Sequence, residues 1–217
     1  MKKNLKFILL IIINLFSTAI LFSQSNYQGS INVTGYYGFP NFAKFSITDN
    51  GFNNNSSLIK GINPCGIRGE YIVGDKIGVG FDFIYNSAHQ KYTDSLTSDV
   101  YNTSTQLTDT ITIITAEEYS MQRIRLMARI NFHFDTGNPA LDAYFGLGVG
   151  TNNRFWKHYT NGAKQPVASG ESSSTLIPVS ARICTGLRYY FSPNVGVNME
   201  LGLGGPMISA GISCKIK

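Results

Sequence analysis

The chain has 217 residues and a formal charge of +5, and charged residues make up 14% of it. Water-soluble domains carry roughly 25% charged residues, so something other than water must face much of this surface. With Lys2, Lys3 and Lys6 set aside, 15 basic residues stand against 13 acidic ones, too even a balance to point to nucleic acid as a partner.

Residues 1–23 read as a secretory signal peptide, with three lysines, the uncharged run Phe7 to Phe22, then Ser23 and Gln24. A signal anchor is the competing reading, because the run approaches the roughly 17 to 25 residues that span a bilayer as a helix. The small and polar residues that follow at once favour cleavage, leaving one mature domain over 24–217. The first cysteine is Cys65, so no thiol near the junction is available for a lipid anchor. Cys65, Cys184 and Cys214 read as isolated small residues in separate strands rather than as a disulfide framework.

Beyond the leader, short stretches alternate with period two between Gly, Asn, Asp, Ser and Pro breaks. In chain order the apolar face reads Ile31, Val33, Gly35, Tyr37; then Ile67, Gly69, Tyr71, Val73, which puts Arg68 and Glu70 on the other face. Ile77, Val79, Phe81, Phe83 and Tyr85 alternate with Gly78, Gly80 and Asp82. From Arg123 to Phe134, Ile124, Leu126, Ala128, Ile130, Phe132 and Phe134 alternate with Arg123, Arg125, Met127, Arg129, Asn131 and His133. Ala143, Phe145, Leu147 and Val149 follow. Ile177 to Phe191 sets Arg182, Cys184, Gly186 and Arg188 on the polar face. Val195 to Leu203 does so with Gly196, Asn198, Glu200 and Gly202, and Ile208 to Ile216 closes the set. The fold class expected is all-β: eight antiparallel strands in an up-and-down transmembrane β-barrel.

Short connections at Gly74–Lys76, Asp135–Leu141 and Ser192–Asn194 alternate with long ones at Phe39–Lys60, Asn86–Glu118 and Arg154–Ser174, plus a tight fourth at Gly204–Pro206. That is the order of periplasmic turns and external loops in an outer-membrane barrel, and it puts both mature termini in the periplasm. Ile111, Ile113 and neighbouring threonines predict extended structure within the second long loop.

A lipocalin-like barrel would show the same alternation with its polar face in water. Here that face carries Gly78, Gly80, Gly146, Gly148, Gly150, Gly186, Gly196, Gly202, Gly204 and Gly211 with few charges, a poor solvated exterior but a good crowded lumen. Inside, Arg68, Arg123, Arg125, Arg129, Arg182 and Arg188 require partners, and Glu70, Asp82 and Glu200 have the parity to supply them in an internal ion-pair network. Aromatic residues gather at the two ends of the apolar face, Tyr37, Phe83 and Tyr85 at one, Tyr71, Phe132, Phe134, Tyr189 and Phe191 at the other, as in membrane girdles.

With this pattern the chain resembles, over residues 27–217, the small outer-membrane β-barrel superfamily of OmpX, OmpW and the OmpA transmembrane domain. It is most similar to the porin-family-like outer-membrane β-barrel domains of Bacteroidota. The ending Gly211-Ile212-Ser213-Cys214-Lys215-Ile216-Lys217 adds to the likeness, although members commonly end in an aromatic residue where this chain has Lys217. The resemblance implies a Gram-negative cell outer membrane, contact with its lipid and lipopolysaccharide, and the barrel-assembly machinery during insertion.

No enzyme motif is expected. His89, His133 and His158 lack the neighbouring serine of barrel lipid A deacylases, and the scattered histidines and cysteines lack metal-ligand spacing. Gly146-Leu147-Gly148-Val149-Gly150 has no following helix and reads as strand rather than nucleotide loop. Catalytic, metal and cofactor sites are therefore all expected to be absent. Asn53 to Ser57, or Phe155 and Trp156, are candidate loop contacts for surface polysaccharide or an envelope protein. The expectation is a non-enzymatic structural or porin-like barrel, with an accessory subunit of a larger complex or a lipid A-modifying enzyme as alternatives. For Arg123, Arg125 and Arg129, structural pairing is preferred to an anion-selective constriction because eight-stranded lumens are filled.

Overall fold

The computed structural model describes residues 28–44, 58–102, 107–166 and 179–216. The expected leader and the Asn53–Ser57 stretch lie outside them. Eleven strands follow in order: β1 Ile31–Phe39, β2 Leu58–Lys60, β3 Cys65–Gly74, β4 Ile77–Asn102, β5 Leu107–Phe134, β6 Leu141–Thr151, β7 Asn153–Thr160, β8 Ala163–Gln165, β9 Val179–Tyr190, β10 Val195–Leu203 and β11 Ile208–Ile216.

Eight of them close a ring. The circuit runs β1, β3, β4, β5, β6, β9, β10, β11 and back to β1, every neighbour antiparallel. Closure leaves no unpaired edge in the wall, which is the condition for backbone to cross hydrocarbon as strands. The turns at Gly74–Lys76, Asp135–Leu141 and Ser192–Asn194 fall where the spacing predicts.

Alternation decides which way each side chain faces. In β9, Ala181, Ile183, Thr185 and Leu187 are exposed, while Arg182, Cys184, Gly186 and Arg188 are buried. Ile67, Val79, Phe81, Leu126, Ile130, Leu147, Val197, Leu201 and Ile212 likewise point outward around the ring. Leu126 and Ile183 are each 54% exposed while Asp82 is 0% and Glu200 1% exposed. A water-soluble protein has the opposite arrangement, so the wall is built to face lipid.

The described parts of the long connections are more ordered than their composition predicts. Residues 86–102 and 107–118 continue β4 and β5, which stay paired from Ile77↔Phe132 to Asn102↔Leu107. Thr93, Thr97, Val100, Thr108, Thr110, Ile111, Thr112 and Ile113 supply the β-branched run that favours this ribbon over a flexible loop. Beyond Tyr85, where pairing to β3 ends, the ribbon rises by roughly 55 Å at strand spacing. Strand β2 flanks it on one side and β7 on the other. The described part of the third predicted loop also folds as strand, with β7 and β8 joined at Asn161-Gly162, both at positive φ as a two-residue primed hairpin turn requires.

At the base of the ribbon, Ala43, Ala88 and Met121 form a small apolar cluster with Tyr119 and Trp156 packed on it. The Asn41 side chain ties this cap down. It donates to the Ile62 and Ser87 carbonyls at 2.8 Å each, and its oxygen accepts from Ala43 N and Asn86.

Candidate functional site: the charged lumen

Strand parity puts the charged side chains on the barrel axis, and two interlocked clusters result. In the first, Asp82 of β4 and Glu200 of β10 are the anions. Arg68 lies 3.2 Å from each, and Arg129 lies 3.2 Å from Asp82 and 2.9 Å from Glu200. Arg182 reaches Glu200 at 2.5 Å. Tyr36 donates its hydroxyl to Asp82 at 2.6 Å, and Tyr144 donates to Glu200 at 3.0 Å. Arg68 is further held by Asn198 and Ser209, with its guanidinium 3.7 Å from the Tyr36 ring centroid.

The second cluster is nearer the short turns. Glu70 of β3 meets Arg188 of β9 at 2.9 Å and His133 of β5 at 3.0 Å, and it accepts from Asn131 at 2.5 Å. Asp142 of β6 binds the other nitrogen of His133 at 2.7 Å and Arg188 at 2.9 Å. Tyr144 stands between the clusters, and Arg188 lies 5.3 Å from its ring centroid. A void of about 10 Å³ remains there, bordered by Arg68, Glu70, Arg129, Tyr144 and Arg188. That is room for about one water.

Glycine makes the space these side chains need. A methyl group at Gly186 would overlap the Tyr144 ring, one at Gly78 would overlap the Glu70 carboxylate, and one at Gly146 would crowd Asn131, Cys184 and Arg129. Small residues on one strand thus admit long ones from the opposite wall, the interlocking that dense interiors require.

Of the nine expected network residues, Arg68, Asp82, Arg129, Arg182 and Glu200 meet in the first cluster, and Glu70 and Arg188 in the second. Arg123 and Arg125 do not join them. Arg125 lies one layer above Asp82, level with Ile84, and Arg123 one layer higher still, level with Asn86. Tyr36, Ile84 and Met127 pack together beside them, Met127 level with Asp82 and Ile84 level with Arg125. Arg125 donates to the Gly204 carbonyl at 2.7 Å and Arg123 to Asn152 at 2.5 Å. Among the described residues neither has a carboxylate within ion-pair distance. The physical reason is height: parity selects the face of a strand, and the paired register decides which acid stands level with which base.

Asp142 was missed as a site residue. Its signal was present, since Ala143, Phe145 and Leu147 point outward and put Asp142 and Tyr144 inside. His133 was placed correctly in the lumen, but its position between two carboxylates depends on β3 and β6 both facing it. Cys65, Cys184 and Cys214 are unpaired; Cys184 lies in the lumen and accepts from Arg129 at 3.1 Å.

Closure, the outward apolar belt and the ion-filled axis define the class: a closed eight-stranded transmembrane β-barrel with a packed, charged lumen. No family model and no curated protein matches the sequence. Among the solved structures it is similar to are other β-barrels. A de novo designed transmembrane β-barrel is 12% identical with a TM-score of 0.44, over 88% of this chain and 98% of that one. The E. coli outer membrane protein W is 14% identical at 0.42, over 88% and 100%. The N-terminal barrel domain of Pseudomonas aeruginosa OprF is 16% identical at 0.41, over 87% and 98%. Similarity at this level assigns no role, and the class rests on the geometry described above.

Proposed function

We propose that the chain is a non-enzymatic integral protein of the cell outer membrane, a structural barrel whose lumen is plugged rather than an open pore. The observation that carries this reading is that the ion pairs span the lumen. Arg188 and Glu70 belong to strands four places apart in a circuit of eight, so their 2.9 Å contact lies on a diameter. Arg129–Glu200 and Arg68–Glu200 each link strands three places apart. Opening a water path requires separating these pairs, and buried charge left unpaired costs several kcal/mol per ion.

Lipid and lipopolysaccharide are the partners of the apolar wall in this reading, and the barrel-assembly machinery inserts it. Both termini of the mature chain face the periplasm, because the short turns lie at that end. His133, clamped between Glu70 and Asp142 inside the lumen, is remote from lipid on the outer wall, which weighs against a lipid A-modifying enzyme. Planar-bilayer recording of the refolded protein tests the plugged reading: a flat trace at 100 mV is expected, and discrete conductance steps overturn it.

A second reading, accessory subunit of a larger envelope complex, is favoured by the ribbon. Val100, Ile111, Ile113 and Ile114 are 46 to 66% exposed on it, and past β2 and β7 its edges pair with no described strand. Cross-linking through the ribbon in native membranes, followed by identification of what is captured, tests it. A complete absence of cross-linked species removes this reading.

A further inference from the structure

Arg123 and Arg125 at one end of the lumen and Arg154 on the adjoining strand β7 form an arginine group with no carboxylate at ion-pair distance among the described residues. Arg123 and Arg154 are direct register partners across β5 and β7, and Arg125 follows on the same face of β5. Cross-strand partners have Cβ atoms roughly 5 Å apart, so Arg123 and Arg154 stand side by side with like charges, and Arg125 is the next side chain along the same face of β5. No described carboxylate forms an ion pair with any of them, in contrast to Arg68, Arg129, Arg182 and Arg188 a few layers below.

Two further features shape the place. The ladder along β5 passes from β6 to β7 here, with Met127↔Gly150 and Ile124↔Asn153 the last regular pairs on either side of Asn152. Arg125 is 4% exposed, yet its Nε has no hydrogen-bond partner. Nη1 of the same group is tied to Gly204, and Nε of Arg123 is tied to Asn152. Those bonds hold two forks in fixed orientations with donors left over. Arg154 is exposed, so the group communicates with solvent.

We propose that this group is a binding site for a phosphate- or sulfate-class oxyanion at the external mouth of the barrel. Three planar guanidinium forks with spare N–H donors match the several oxygens of a tetrahedral oxyanion better than they match a halide. An anion seated there also removes the mutual repulsion and supplies the acceptor that Arg125 Nε lacks. The Arg123 and Arg125 side chains lie on the inward face of β5, which favours a soluble anion over a lipid headgroup at the outer wall. The site rests on barrel geometry alone and holds whether the lumen below conducts or not.

The test is calorimetric titration of the refolded protein, in a zwitterionic detergent, with inorganic pyrophosphate as the probe. Saturable binding is expected, weakened about tenfold or more by Arg154→Gln and by Arg123→Gln. Arg154 is exposed, so its variant folds, as retained heat-modifiable gel mobility will show. Lys157→Gln, on the opposite face of β7, is the control and leaves the affinity unchanged. No binding by the unaltered protein, or an equal loss for Lys157→Gln and Arg154→Gln, overturns the site. Repeating the titration in phosphatidylcholine and phosphatidylglycerol bilayers distinguishes the source: loss of pyrophosphate binding only in the anionic bilayer assigns the site to lipid-borne phosphate, and equal binding in both assigns it to a free anion.

Discussion

Arg188 of β9 and Glu70 of β3 meet at 2.9 Å from diametrically opposite strands, each also bound to a residue on a third wall, Asp142 and His133 respectively. Such a contact pins the cross-section of the barrel, because separating the pair removes one charged partner from each of two buried groups.

Glu200 is the acceptor most shared among the cations, taking Arg68, Arg129 and Arg182 together. Glu200→Ala should cost about 3 to 5 kcal/mol, the penalty for stranding buried charge. Urea unfolding in phospholipid vesicles measures it, and a loss below about 1 kcal/mol would contradict the shared role.

Ile130 lies on the lipid face in the middle of the β5 wall, level with Val79 and Leu147. Ile130→Arg should destabilise by roughly 2 to 4 kcal/mol, the cost of a charge near the bilayer midplane, whereas Lys157→Glu on β7, outside the ring, should cost little. Equal tolerance of the two in the same unfolding assay would reverse the assignment of faces.

Gly186 makes room for Tyr144. Gly186→Val should cost about 1 to 3 kcal/mol through overpacking. Pairing it with Tyr144→Leu should give a loss smaller than the sum of the single variants, since the two changes share one space. Strict additivity in the double-mutant cycle would show that the residues do not compete.

On the ribbon, Lys91 stands 2.7 Å from Glu118, and its hydrogen bond holds that carboxyl below the usual glutamate range. A depressed folded-state pKa contributes stability that is present above the unfolded value and lost as pH falls through the folded one. Carbon-detected NMR titration should therefore find the Glu118 midpoint below 4.5, and Lys91→Met should move it back up. The stabilisation is small, because the pair is open to solvent.

Anion binding at Arg123, Arg125 and Arg154 should leave a thermodynamic trace as well. Pyrophosphate should raise the urea midpoint of the unaltered protein and leave that of Arg154→Gln nearly unmoved, because a ligand stabilises only the state that binds it.

Much of the architecture was legible without coordinates. Alternation from Arg123 to Phe134 assigned both faces of β5 correctly, since a period of two admits no third option and a one-residue slip would reverse every side chain. The order of short and long connections gave the up-and-down circuit. The long ribbon was partly legible: threonine and isoleucine around Ile111 promised extended chain, but polar composition hid that β4 runs on to Asn102 and that β5 starts as early as Leu107.

What the sequence by itself determined is direction: which residues face lipid, which face the axis, and that the axis is crowded with arginine, carboxylate and glycine. Only the tertiary structure decided partnership. Register between neighbours and closure of the ring set the height of each side chain along the axis. Those heights bring Arg188 to Glu70 and Arg129 to Glu200, while Arg123 and Arg125 stand above the acids the same parity had offered them. Periodicity is a local property of one strand, whereas ion pairing across a lumen depends on the stagger of all eight.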